Sequence, residues 1–115
     1  MRLLTIELEK EFRKIGRQEE NLDPVVLAHL FNPSGGGDWY ATEYEPDDRI
    51  FFGYVRLFYD HCDEWGYFSL DELEEVKGPF GLGIERDLYW HPKPISQVVS
   101  KAVFGKVDDD EDETT

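Results

Sequence analysis

Glu85-Arg86-Asp87 places two carboxylates around a guanidinium, just after a glycine-rich stretch and just before the apolar run Leu88-Tyr89-Trp90. Such a trio can do acid–base work. It can equally form an ion-pair network that ties a loop to a sheet, and that structural role is the one expected here. Glu43 lies in a strand-like segment beside Trp39 and Tyr40 and is the carboxylate expected to pair with Arg86. The histidines, His29, His61 and His91, do not pair with one another at the short spacings that build a local metal site. His29 sits in an apolar segment and reads as a satisfied sheet residue. His61 and Cys62 are adjacent in a turn, where neighbouring side chains rarely face each other, so no nucleophile pair is assigned. Gly78, Gly81 and Gly83 lack both the Gly-Lys-Ser/Thr ending of a phosphate loop and the spacing of a dinucleotide fingerprint. They read as a turn joining a helix to a strand. No catalytic residue, metal ligand or cofactor is assigned.

Aromatic side chains are the other candidate. Trp39, Tyr40, Tyr44, Tyr54, Tyr67, Tyr89 and Trp90 could line one face of a sheet, as in domains that stack single-stranded RNA. Those domains are basic. This chain has 12 basic against 26 acidic residues and a net charge of −14. Residues 108–113 supply six of the negative charges, so −8 remains without them. Direct binding to a phosphate backbone is therefore disfavoured, because it needs lysine and arginine to displace counterions. A basic protein partner is expected instead. Its contact residues are expected among Trp39, Tyr40, Glu43, Glu85, Arg86, Asp87, Tyr89 and Trp90.

The elements that must position these residues follow from local signals. Thr5 can cap a helix over residues 6–15, with Leu8, Phe12 and Ile15 on one stripe and Gly16 as its stop. Residues 17–23 read as a polar connection. Residues 25–31 fit a buried strand, residues 39–44 a second and residues 50–59 the longest, rich in β-favouring aromatics. Residues 60–64 turn the chain and residues 65–68 return it. The short connections imply an antiparallel meander. Ser69-Leu70-Asp71-Glu72 is a capping box opening a short helix, with Leu70, Leu73 and Val76 expected inward. Residues 84–90 read as a last extended segment. A C-terminal helix is expected over residues 95–104, its apolar face formed by Ile95, Val98, Val99 and Ala102.

The expected fold is α+β: a four- to five-stranded antiparallel meander packed with N- and C-terminal helices, plus one short helix. Residues 1–106 form a single domain and residues 107–115 an acidic tail with nothing to bury, expected to be disordered. One cysteine cannot form an internal disulfide, which fits a reducing compartment. The first residues lack the long apolar run of a signal peptide, and no stretch approaches the ~20 apolar residues of a membrane span. A cytoplasmic location is expected.

Several runs, taken in order, resemble a bacterial family catalogued as domain of unknown function 2958. They are Leu3-Leu4-Thr5 with Leu8, Trp39-Tyr40-Ala41-Thr42-Glu43-Tyr44, Phe51-Phe52-Gly53, and Gly66-Tyr67-Phe68-Ser69-Leu70 with Glu72-Leu73. The last covers residues 78–94, with Gly81-Leu82, Ile84-Glu85-Arg86-Asp87-Leu88 and His91-Pro92. The resemblance implies bacterial origin and residence on plasmids, phages and other mobile elements. It supplies no activity and no catalytic residue to carry over. Small acidic proteins of mobile elements often occupy basic, DNA-binding surfaces of host defence proteins. The expected function is therefore a non-enzymatic interaction protein of anti-restriction or anti-CRISPR type, whose partner is a host nuclease or CRISPR effector. One alternative is a small enzyme acting on a nucleotide or nucleic acid, with Glu43, Glu85, Arg86 and Asp87 at its centre. Another is an accessory subunit for plasmid replication or transfer.

Overall fold

A computed structural model of the chain describes residues 2–57 and 63–99. The first helix, α1 (Ile6–Ile15), has the bounds its sequence predicts. The Thr5 hydroxyl accepts from the Leu8 amide at 3.1 Å, and Gly16 leaves the helix at φ 68°, its amide donating to Phe12 O at 2.9 Å. Glu7 and Glu9 lie in the first turn and Arg13 and Lys14 in the last, as the helix dipole favours. Phe12 is the buried member of the apolar stripe, its ring 5.7 Å from that of Phe51 and 6.1 Å from that of Tyr44. Burying one such ring stabilises the fold by about 1.5–3 kcal/mol.

Four consecutive strands form the meander: β2 (Ala28–Phe31), β3 (Asp38–Glu45), β4 (Ile50–Arg56) and β5 (Glu64–Ser69). A two-residue strand, β6 (Glu85–Arg86), then returns beside β2, giving an antiparallel five-stranded order β5-β4-β3-β2-β6. The apolar run expected as one strand over residues 25–31 is two. Leu27 N donates to Ala41 O, and the preceding β1 (Val25–Val26) pairs instead with β7 (Lys93–Pro94) in a separate two-stranded ladder. The long strand expected over residues 50–59 ends at Arg56; residues 58–62, including His61 and Cys62, lie outside the described residues.

Both sheet faces are covered. Ala28, Leu30, Ala41, Phe51 and Phe68 point to the α1 side and join Leu3, Phe12, Leu70 and Leu73 in the larger core. On the other side Tyr40 and Tyr54 pack with Val26, Ile95 and Val99. The short helix α2 (Leu70–Glu75) begins at Ser69, whose hydroxyl accepts from the Glu72 amide at 3.2 Å. Leu70 and Leu73 are buried as expected, but Val76 is exposed, because it has left helical geometry at ψ 130°. The helix expected from Ile95 is a single 3-10 turn, Ile95–Gln97, among the described residues. Its spacing still buries Ile95 and Val99, and Asp23 accepts from both the amide and the hydroxyl of Ser96. The rest of that expected helix and the acidic tail fall within residues 100–115, outside the described residues. Among the described residues no helix is long and apolar enough to cross a membrane.

Candidate functional site

Where β2, β3 and the residues after β6 meet, they gather a histidine and two carboxylates. The β2–β3 register sets Phe31 opposite Asp38 and His29 opposite Tyr40, so strand alternation puts all four side chains on one face. The connecting loop closes through Asn32, whose side chain accepts from Ser34 N and whose amide donates to Gly37 O. Gly37 is needed there: its φ is 129°, and a β-carbon would approach the Trp39 ring to 3.1 Å. Just past β6, Asp87 N donates to His29 O at 2.9 Å, which brings the Asp87 side chain to the same imidazole.

His29 Nε2 lies 2.7 Å from Asp38 Oδ1 and Nδ1 lies 3.3 Å from Asp87 Oδ2. Its ring stacks on Tyr40 at 4.8 Å and is tilted against Trp90 at 5.4 Å. Carboxylates only accept, so both contacts are satisfied together when both ring nitrogens carry hydrogen. The two nitrogens point in divergent directions, so Asp38 and Asp87 cannot converge with His29 on one ion. Among the described residues no group of histidine, cysteine and carboxylate side chains could hold a metal. Burial, aided by the Asp38 charge, pushes the Tyr40 hydroxyl above its usual pKa, so it stays protonated at neutral pH.

Asp87 also shapes the turn that follows. Its Oδ1 accepts from Tyr89 N at 3.0 Å, and its carbonyl accepts from Trp90 N at 3.3 Å. Trp90 is then fixed by its indole, which donates to Val26 O at 2.9 Å, and by Lys93 Nζ lying 4.2 Å from its ring centroid. Leu88 and Tyr89, at 62% and 88% exposure, project from this anchored corner.

The family model for a protein of unknown function (DUF2958) matches residues 3–106. The chain belongs to the DUF2958 family. No curated protein and no solved structure matches it.

In this DUF2958 chain the site residues expected from sequence divide into two groups. Tyr40, Asp87 and Trp90 come together around His29, with Tyr89 beside them. Glu85 pairs with Phe31 at the sheet edge. Trp39 points to the opposite face and packs against the α1-side core. Glu43 is remote from Arg86. Arg86 sits level with Leu30, whereas Glu43 lies past Ala41, which is level with Ala28. That offset is about four residues, or roughly 13 Å along the strand. The expected Glu43–Arg86 pair is thus replaced by separate bonds: Gln18 N donates to Glu43 at 2.7 Å, and Arg86 donates to Arg2 O at 2.6 Å.

Asp38 was not singled out by sequence, and His29 was read as a satisfied sheet residue, which its partners at both ring nitrogens agree with, but not as a member of a site. The signal that joins them was the symmetry of the hairpin about residues 32–37, which makes Asp38 the first strand residue and not the end of the loop. His29→Ala should cost about 2 kcal/mol, since two carboxylates and two rings lose a shared partner. Thermal denaturation would read this, and an unchanged melting temperature would show that the His29 contacts contribute nothing net.

Proposed function

We propose that this chain is a non-enzymatic interaction protein that offers negative charge to a basic surface on another protein. The observation that supports it is an acidic rim built by two neighbouring elements. The β3–β4 turn and α2 meet where Leu70 N donates to Arg49 O and Ile50 pairs with Ser69. Glu45, Asp47, Asp48, Asp71, Glu72 and Glu75 are all exposed along this rim. Arg49 is the cation within it and is engaged by Asp71 at 2.8 Å. The C-terminal turn of α2 contains no basic residue and carries Glu74 and Glu75, against the preference of the helix dipole. A surface that tolerates such local repulsion gains from a cationic partner. The partner class that fits is a nucleic-acid-binding protein, such as a host nuclease or CRISPR effector whose basic channel normally takes phosphate. A mobile element would use such a protein against host defence.

The test is capture from a host lysate with wild type and with D47K/D48K/E72K/E75K. Wild type should retain nucleic-acid-binding proteins that added DNA releases. The reversed variant should bind at least roughly tenfold more weakly while melting normally. Binding should also weaken as the Debye length falls from ~10 Å at 0.1 M salt to ~3 Å at 1 M. Salt-insensitive capture that DNA does not compete would overturn the reading.

A further inference from the structure

On the other side of the Asp87 corner, a cleft of about 390 Å³ separates α1 from the β6–β7 connection. Its floor is apolar, with Leu8, Leu27 and Ala28 below and Leu88 and Pro92 along one wall. Glu7 and Glu11 form the opposite wall. These glutamates are four residues apart on one helix face, where like charges repel. Among the described residues neither pairs with a cation. Glu7 gains from the helix N-terminus, but Glu11 lies beyond the first turn and does not. Asp87 adds a third carboxylate, while Arg86, already bonded to Arg2 O, brings one positive charge.

We propose that this cleft receives an arginine side chain of the partner protein, a specification that rests on the interaction reading above. The chemistry of the walls selects that occupant. An arginine stem is apolar and can lie on Leu8 and Leu88. Its planar guanidinium can fork between Glu7 and Glu11, which relieves their mutual repulsion. Leu88 and the neighbouring Tyr89 are held in place by the Asp87 turn and the anchored Trp90, so little ordering is needed on binding.

The full chain, labelled with ¹⁵N, would be titrated with an acetylated, amidated Ala-Ala-Arg-Ala-Ala peptide. Amide shifts are expected at residues 7–11 and 86–90 and at the Trp90 indole, and the corresponding glutamate peptide should produce none. E7Q/E11Q should lower the peptide affinity roughly tenfold. Its melting temperature should stay close to wild type, because the relieved repulsion offsets the loss of the Glu7 charge at the helix N-terminus. The E20Q/E64Q variant, at exposed glutamates that line neither the cleft nor the acidic rim, removes the same charge and should leave peptide binding unchanged. Equal weakening by both variants, or shifts confined to other surfaces, would overturn the cleft assignment. Loss of the peptide signal alongside intact, salt-sensitive capture of the lysate partner would reject the cleft while leaving the interaction reading in place.

Discussion

Replacing Gly53 by alanine is expected to leave little folded protein. Gly53 sits in the middle of β4, between Ala41 on β3 and Gly66 on β5. A β-carbon there would overlap the carbonyl oxygen of Tyr40 and lie 2.8 Å from its carbon and 3.0 Å from the Ala41 α-carbon. All three are main-chain atoms of the neighbouring strand, so no rotamer change relieves the clash. The β3–β4 ladder has to shift next to the irregularity between Ala41 and Glu43. The cost should be at least about 3 kcal/mol, a large share of the ~5–15 kcal/mol that holds a domain together. Gly66→Ala is the matched control: a β-carbon there meets nothing within 4 Å, although the two glycines face each other across the ladder. Urea denaturation of both variants would decide the point. Equal stability of the two would show that β3 and β4 do not approach this closely.

Gln18→Ala should produce the next largest loss. Gln18 is 6% exposed and acts as a surrogate strand segment between α1 and the sheet. Its side-chain amide donates to Val25 O at 2.9 Å and to Thr42 O at 2.7 Å, and its oxygen accepts from Val25 N at 2.8 Å. Alanine removes all three bonds and strands main-chain groups in a region with little access to water. A cost of about 3 kcal/mol is expected, from roughly 1 kcal/mol for each bond. That corresponds to a fall of roughly 10–20 °C in melting temperature. The urea midpoint should drop with an unchanged slope, since the folded and unfolded surfaces stay the same. A midpoint within error of wild type would mean that water substitutes for the side chain.

These two residues also mark how far the sequence could be read. α1 was legible because its signals are local: a threonine cap, a stripe at helical spacing and a glycine stop. Ser69 announced α2 in the same way, and the aromatic runs announced the meander. Gln18 lay in a segment that reads as a polar connection, because its bonds go to Val25 and Thr42 and leave no local pattern. The division of residues 25–31 into β1 and β2 has the same origin, since it depends on Leu27 reaching Ala41. The spacing of Ile95, Val98 and Val99 suits both an α-helix and one tight turn, and here Ser96 is tied to Asp23. At the candidate site, Asp87, Tyr40 and Trp90 were found by their chemistry. His29 was legible as a satisfied sheet residue, but its grouping with Asp38 required the hairpin register. Glu43 was wrongly joined to Arg86 because the distance along the strands was not apparent.

The sheet and its flanking ladder have one further consequence, for the chain while it is being made. β1 has its partner in β7 and β2 its outer partner in β6, so early strands wait for late ones. The bonds from Leu3 to Glu74, Asp23 to Ser96 and Arg86 to Arg2 span 71, 73 and 84 residues. A ribosome adding ~5–20 residues each second needs roughly 4–17 s to supply the second partner. During that interval α1 and the meander hairpins can form, while the edge of β2 and the underside of Val26 stay open. The nascent chain therefore passes through a stage in which its central strands exist but its seam does not. The net negative charge already synthesised on the β3–β4 turn, where Glu45, Asp47 and Asp48 outnumber Arg49, would then help keep neighbouring copies apart until the C-terminal segment closes the seam.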